Sequence, residues 1–306
     1  MLLEVSHLRV AFKLEGNRRS VPVRDVSFGI PRNGRVALVG ESGCGKSLTA
    51  LALGGLVDRA EISGAIRGRP RISYVFQNPM QSLNPVMRVG RQIEEAFPAG
   101  TPKPERRRRI EELLGSVELP PETARKYPCE MSGGQQQRVM IAMALAAEPD
   151  LLIADEPTTA LDVTTQQEVL DLVARMADAR RMSVLLITHN LGLVAKYARH
   201  VNVMYAGEIV EAGPARDILA HPRHPYTQGL IQAVPRLDRP RTKELYTIKG
   251  EPPDMSRVPP NCCAFAPRCP YETSKCTKAR PEERTITPGH TCACFHTELT
   301  GKEETA

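Results

Sequence analysis

The sequence has no apolar run long enough to cross a bilayer. Its longest such stretches, Leu48–Val57 and Val139–Ala147, reach about ten residues, whereas a membrane span needs roughly 18. The N-terminus, Met1-Leu2-Leu3-Glu4-Val5, lacks a basic region and a long apolar core, so no secretion signal is expected. A strong charge excess is also missing. With 41 Lys and Arg against 35 Asp and Glu, the net charge is +6, too mild for the basic patch of a nucleic-acid binder, and no nucleic-acid partner is expected. Cysteine is scarce along most of the chain: only Cys44 and Cys129 precede Cys262, and the other six lie between Cys262 and Cys294. No internal repeat is visible. These absences exclude a transmembrane protein, a secreted disulfide scaffold and a fibrous repeat. The late cysteine cluster points instead to metal or redox chemistry.

What is present fits a folded α/β protein. The 306 residues, 41% of them hydrophobic, have room for two domains. Residues 1–30 alternate apolar and polar positions and read as strands joined at Glu15-Gly16-Asn17. Val36–Val39 reads as a buried parallel strand, followed by a glycine loop and a helix over Lys46–Leu56. Further strands are expected at 72–76, Leu151–Ala154, Val184–Ile187 and Val201–Met204, with helical patterns at 135–147, 165–180 and 191–197. Residues 88–130 are helical in texture, and the Arg106–Arg109 run reads as a solvated helix face. Strands alternating with helices imply a largely parallel core sheet. Beyond about residue 220, frequent prolines predict little regular structure, and a linker leads to a small cysteine-bearing module.

Gly40-Glu41-Ser42-Gly43-Cys44-Gly45-Lys46-Ser47 fits the pattern G-x-x-x-x-G-K-[ST] in full. Its glycines let the backbone turn its N–H groups toward phosphate oxygens, and the following helix adds its positive end. Lys46 suits the β- and γ-phosphates and the Ser47 hydroxyl suits Mg²⁺. Cys44 occupies a variable position of the loop. Leu151–Ala154 ends in Asp155 and Glu156, where Asp155 suits Mg²⁺ and Glu156 could polarise an attacking water. Ser132-Gly133-Gly134-Gln135, just before a helix, forms a second phosphate-ready N-terminus.

Together these segments resemble the ATP-binding-cassette (ABC) ATPases, whose signature Leu-Ser-Gly-Gly-Gln has Met131 in its first place here. The resemblance spans about residues 1–235. It implies a P-loop fold with a RecA-like core, an antiparallel β portion and a helical subdomain near 88–140, followed by a Cys-rich module over 236–306. It also implies that Ser132, Gly133, Gly134 and Gln135 serve the ATP of a partner subunit in a head-to-tail pair. Gln77 matches the Q-loop glutamine, Ala160-Leu161-Asp162 the D-loop, and His189 the switch histidine that contacts the γ-phosphate. Phe12 sits where the family often stacks an aromatic on adenine. Only 31 positions separate Lys46 from Gln77, so the antiparallel portion near Ile62–Arg71 is expected to be trimmed.

Two stretches look like the peptide and nickel importer branch: Phe76-Gln77-Asn78-Pro79-Met80-Gln81-Ser82-Leu83-Asn84-Pro85, and His224-Pro225-Tyr226-Thr227-Gln228-Gly229-Leu230 with Val234-Pro235. The resemblance implies an ATP-hydrolysing subunit of a peptide importer, peripheral on the cytoplasmic face of the membrane. Its implied partners are two permease subunits, a second ATPase chain and, indirectly, an external solute-binding protein. A heterodimer is favoured and a homodimer permitted. A nickel or other small-solute importer, or a non-transport cassette ATPase, are the alternatives. Cys263, Cys269, Cys276 and Cys294 resemble the C-terminal cysteine motif of this branch, with Phe265 and Pro267-Arg268-Cys269-Pro270 also matching. Four thiolates suit a [4Fe–4S] cluster, with zinc as the alternative. Cys262 and Cys292 are extra neighbours. The module is expected to lie outside the cassette, leaving ATP binding independent of it.

Overall fold

The computed structural model describes residues 1–159, 161–234, 246–255 and 258–298. Ala160 of the expected D-loop, the expected boundary at 235/236 with part of its linker, and residues 299–306 of the C-terminal segment lie outside the described residues. In chain order the elements are β1 (Leu3–Lys13), β2 (Arg19–Ile30), β3 (Arg35–Val39), α1 (Lys46–Leu53), β4 (Glu61–Arg67) and β5 (Ile72–Val75). Next come α2 (Pro79–Ser82), α3 (Val89–Glu95), α4 (Lys103–Ser116), α5 (Gly133–Ala146), β6 (Leu151–Asp155), α6 (Val163–Arg180) and β7 (Ser183–Thr188). The chain continues through α7 (Leu191–Tyr197), β8 (His200–Tyr205), β9 (Glu208–Pro214), α8 (Ala215–Ala220), α9 (Pro225–Gln232), α10 (Ser274–Lys278), β10 (Arg284–Thr287) and β11 (His290–Cys292).

These elements form two compact units. One comprises Met1–Leu2, Ile30–Gly34 and Arg69–Leu186; the other comprises Leu3–Gly29, Arg35–Gly68 and Ile187–Ala306. In the first, β5 and β6 pair in parallel, with Ile72 opposite Leu151 and Val75 opposite Ala154. Helices α3 to α6 share one core of buried side chains, among them Ile93, Leu114, Ile141, Leu145 and Val169. Helix α5 is buried along most of its length, which explains its apolar run Val139–Ala146. The Arg106–Arg109 run pairs with glutamates, as a solvated face should, but not all of it is exposed. Arg106 reaches Glu94 at 3.1 Å, and Arg109 lies over the Phe97 ring at 4.7 Å from its centroid.

The second unit carries the antiparallel portion and the phosphate loop. Its strand order is β4-β1-β2-β9-β8-β3. The stretch expected to be trimmed forms β4, a seven-residue exposed strand paired antiparallel with β1. Strand β3 runs parallel to β8, with Val36 opposite His200 and Val39 opposite Val203. Strands β8 and β9 form a hairpin turned at Ala206-Gly207, both with positive φ, the geometry of a tight two-residue turn. Helix α1 stops at Leu53, three residues short of the expected end, because Gly54 caps it and Gly55 turns into the left-handed region.

The expectation of little regular structure past residue 220 is corrected. Helix α9 begins with Pro225 in the first turn, where a missing N–H costs nothing, and His224 Nδ1 accepts the Tyr226 N–H at 3.1 Å. The hairpin β10–β11 then adds to the sheet through β9, pairing Thr291 with Ala212 and Cys292 with Glu211. Proline density therefore marked turns and a helix start, not an absence of structure.

Candidate nucleotide-binding site

The phosphate loop in the second unit links the tip of β3 to α1. Gly43 and Gly45 hold φ of 80° and 104°, and a Cβ at Gly45 would meet the Pro22 carbonyl oxygen at 2.4 Å. Only glycine fits there. Lys46 is 5% exposed, and its ammonium donates to the carbonyls of Gly40 at 2.8 Å and Glu41 at 2.9 Å. Ser42, Gly43 and Ser47 are exposed, so the outer face of the loop and the first turn of α1 are open to a ligand. Cys44 is buried, which pushes its thiol pKa up against the opposing pull of Lys46. Phe12 is half-buried near the end of β1, and His189 is exposed just after β7, followed by Asn190 as the cap of α7.

The first unit brings Gln77 and Glu156 together. Gln77 Nε2 donates to Glu156 Oε2 at 3.2 Å, and Thr159 Oγ1 donates to the same oxygen at 2.9 Å. Asp155 ends β6 and Glu156 follows it with a left-handed backbone at φ 45°. That conformation costs a non-glycine residue on the order of 1 kcal/mol, so the fold holds this carboxylate at the strand tip against strain. Thr159 was not singled out in the sequence; its spacing of three from Glu156 was the available signal.

The Ser132 segment is built as a helix cap in the same unit. Ser132 Oγ accepts the Gln135 N–H at 3.3 Å and Gln135 Oε1 accepts the Ser132 N–H at 3.1 Å. Met131 is buried in the helical core, where it replaces a leucine without a change of character. A Cβ on Gly134 would meet the Thr165 methyl at 2.8 Å, so glycine lets α5 approach α6. Asp162 caps α6, and hydrogen bonds from the backbone and side chain of Thr165 hold its carboxyl below the usual carboxylate range. Ser132, Gly133, Gly134, Gln135 and Asp162 line one open cleft of about 390 Å³.

The late cysteines divide into groups. Cys263, Cys269 and Cys294 each lie near enough to Cys276 for its thiol to raise their pKa values. Burial pushes the Cys263 thiol up to about 12 and the Cys269 thiol up to about 11, with the neighbouring thiols adding to each. Backbone N–H groups two residues on, at Phe265, Tyr271 and His296, are directed at Cys263, Cys269 and Cys294. His296 also sits 3.7 Å from Cys276 Sγ, a neighbour that the sequence reading missed. Cys262 contacts the Pro259 carbonyl, and Cys292 is buried beside Glu211. Among the described residues, no three His, Cys, Asp or Glu side chains are gathered as a single metal-ion site.

Comparison with known proteins decides the family. The ABC transporter family matches residues 23–159, and the oligopeptide/dipeptide transporter C-terminal region matches residues 210–276. A Brucella melitensis protein provisionally named a peptide import ATP-binding protein is 44% identical over 96% of this chain and 94% of its own. This chain belongs to the peptide-importer family of ABC ATP-binding proteins. The oligopeptide transport ATP-binding protein OppD of Mycobacterium tuberculosis is 43% identical over 97% of this ABC protein, which spans 52% of OppD. Among solved structures, an ATP-binding cassette captured as a dimer after hydrolysis, with ADP and phosphate, matches with a TM-score of 0.62 and 26% identity. That match covers 70% of this chain and 99% of the cassette. The cbiO1 protein of Clostridium perfringens, part of the ABC transporter complex cbiONQ, matches at a TM-score of 0.63 and 26% identity over 72% of this chain and 90% of its own. The ABC ATPase fold expected from the sequence is therefore the fold observed.

Proposed function

We propose that this chain is the ATP-hydrolysing subunit of a membrane importer for di- or oligopeptides. The observation that carries the reading is the pairing of a complete phosphate loop, Gly40–Ser47, with the match of residues 210–276 to the oligopeptide/dipeptide transporter region. No described helix is long and apolar enough to cross a membrane. In this reading, as the family resemblance implies, separate permease subunits form the transport path. The chain docks on them from the cytoplasmic face, at residues around Gln77. A 1–235 cassette and a 236–306 module are the functional divisions.

Lys46 binds the β- and γ-phosphates, and the N–H groups of the loop wrap them. Phe12 stacks on the adenine. Ser47 and Asp155 offer hard oxygen donors of the kind Mg²⁺ prefers, and the ion supplies charge neutralisation of the phosphates. Glu156 orients and polarises a water toward the γ-phosphorus; the water oxygen forms the new P–O bond as the bond to the ADP oxygen breaks, and the water's proton passes to the Glu156 carboxylate. Gln77 and Thr159 fix one carboxylate oxygen of Glu156, Oε2, and His189 contacts the γ-phosphate. Ser132, Gly133, Gly134 and Gln135 cover the ATP of a second ATPase subunit, with Asp162 at the same face. A heterodimer fits the family, and an extracytoplasmic binding protein delivers the peptide.

Cys263, Cys269, Cys276 and Cys294 hold a [4Fe–4S] cluster. The four thiolates would be the iron ligands, and the cluster would supply a metal staple for a segment with little core of its own. The N–H groups directed at three of the sulfurs favour their thiolate forms. The whole reading is tested by ATPase assays on the purified chain, with Glu156→Gln as control, and by peptide uptake through the reconstituted complex.

A further inference from the structure

Glu41 is an anion placed inside a loop built to bind anions. Every polar group of this residue is engaged within the second unit. Its carbonyl accepts Lys46 Nζ at 2.9 Å, and its N–H donates to Tyr226 Oη at 2.7 Å. Its carboxylate accepts two hydrogen bonds from Arg268, at 2.6 and 3.0 Å. The Arg268 side chain is 5% exposed, and its remaining donor Nε reaches the Lys249 carbonyl at 3.0 Å. Tyr226 is fully buried and packs on Tyr205 and Phe265 at ring-centroid distances of 4.6 and 5.4 Å. The support is thus braced before any ligand arrives. Both supporting side chains come from the C-terminal part of the chain, far from the loop in sequence.

We propose that Arg268 and Tyr226 are positioning residues for the phosphate loop: Arg268 neutralises and anchors the Glu41 carboxylate, Tyr226 anchors its N–H, and ATP affinity depends on both. The inference rests on the nucleotide reading of Gly40–Ser47. A bare carboxylate beside the loop would repel a triphosphate, and an unanchored Glu41 would displace the carbonyl that Lys46 grips. Paired by two charge-assisted hydrogen bonds, the same carboxylate becomes a fixed point of the loop. Because Arg268 precedes Cys269, the backbone that carries this anchor also carries one of the clustered thiols.

The test is ATP affinity of the purified full chain by titration. Arg268→Ala should raise the dissociation constant about tenfold, and Tyr226→Phe should raise it severalfold while keeping the ring packing. Glu41→Gln in the Arg268→Ala background should restore affinity to within about threefold of wild type, since the repelling charge is gone. Such rescue is a readout that a purely structural role would not produce. Arg268→Lys, which keeps the charge but not the bidentate geometry, should fall between. Wild-type affinity in Arg268→Ala, or no rescue by Glu41→Gln, overturns the proposal. If Arg268→Ala does not fold, Arg268→Lys and Tyr226→Phe decide it: wild-type affinity in both overturns it. A wild-type chain that binds no ATP would instead overturn the nucleotide reading itself.

Discussion

Arg268 and Glu41, 227 positions apart, form a bidentate ion pair that ties the cysteine-bearing segment to the phosphate loop. The expectation of a module lying apart from the cassette is not met at this contact. A second tie lies deeper. Glu211, 1% exposed, accepts the N–H groups of Arg223 at 2.6 Å and His224 at 3.0 Å, and pairs with His290 at 2.8 Å. One buried carboxylate thus joins β9, the entry to α9 and β11. A buried charge is tolerated only with partners of this number and quality.

Glu156→Gln should retain ATP binding and lose turnover by roughly 10²- to 10⁴-fold, the usual contribution of a positioned base. The amide still fits between Gln77 and Thr159, so the strand tip should not collapse. ATP-bound dimers should accumulate and be visible by size-exclusion chromatography. Turnover at the wild-type rate would remove Glu156 from the chemistry.

Ser132→Arg and Lys46→Ala should separate two functions. Arginine at the cap of α5 fills the cleft shared with Asp162, so dimer closure and hydrolysis should fail while ATP binding to the monomer stays close to wild type. Lys46→Ala removes the buried ammonium that spans the loop and should weaken binding in the chain that carries it. Equal losses of monomer binding in the two variants would contradict a shared site. Nucleotide titration at a protein concentration below dimerisation reads the difference.

Acid should loosen the support behind the phosphate loop. Burial lowers the His224 pKa to about 4, from an ordinary value of 6.5. Between those values the unfolded chain binds the proton and the folded chain does not, so stability is fully present above about pH 6.5 and falls as the pH drops toward 4. A shift of that size corresponds to roughly 3 kcal/mol at the acid limit. Protonation also removes the Nδ1 acceptor that caps α9. His224→Asn keeps a capping side chain and should flatten the melting-temperature profile between pH 6.5 and 4. An unchanged slope in that variant would assign the acid sensitivity to other groups.

The parts of the site that the sequence disclosed are those written locally. Gly40–Ser47 carries its conformation in its own glycines, Asp155 and Glu156 end a buried apolar strand, and Ser132 with Gln135 spells a capping box. Strand β9 and the β10–β11 hairpin stayed hidden because their pairing is non-local and their residues are mixed in polarity. Thr159, Glu211, His290 and His296 act through contacts that no short spacing encodes, apart from the three-residue step between Glu156 and Thr159. Arg268 was visible only as part of a matching Pro-Arg-Cys-Pro stretch, and its contact with Glu41 required the fold.

The cysteine set makes its own forecast. Protein prepared without oxygen should be brown and carry about four irons per chain. Ser in place of Cys263, Cys269, Cys276 or Cys294 should lower the iron content, because a hydroxyl is a poor substitute for thiolate. Ser in place of Cys44 or Cys129 should not. Stoichiometric zinc without iron would replace the cluster with a zinc site, and neither metal would leave free thiols.

The most direct measurement is ATP-driven peptide uptake by proteoliposomes holding this chain, its partner ATPase, the permease subunits and the solute-binding protein. The account predicts uptake of labelled di- or oligopeptides that requires ATP and is abolished by Glu156→Gln in this chain. Uptake of nickel but not of peptides, or peptide uptake indifferent to Glu156→Gln, would contradict it.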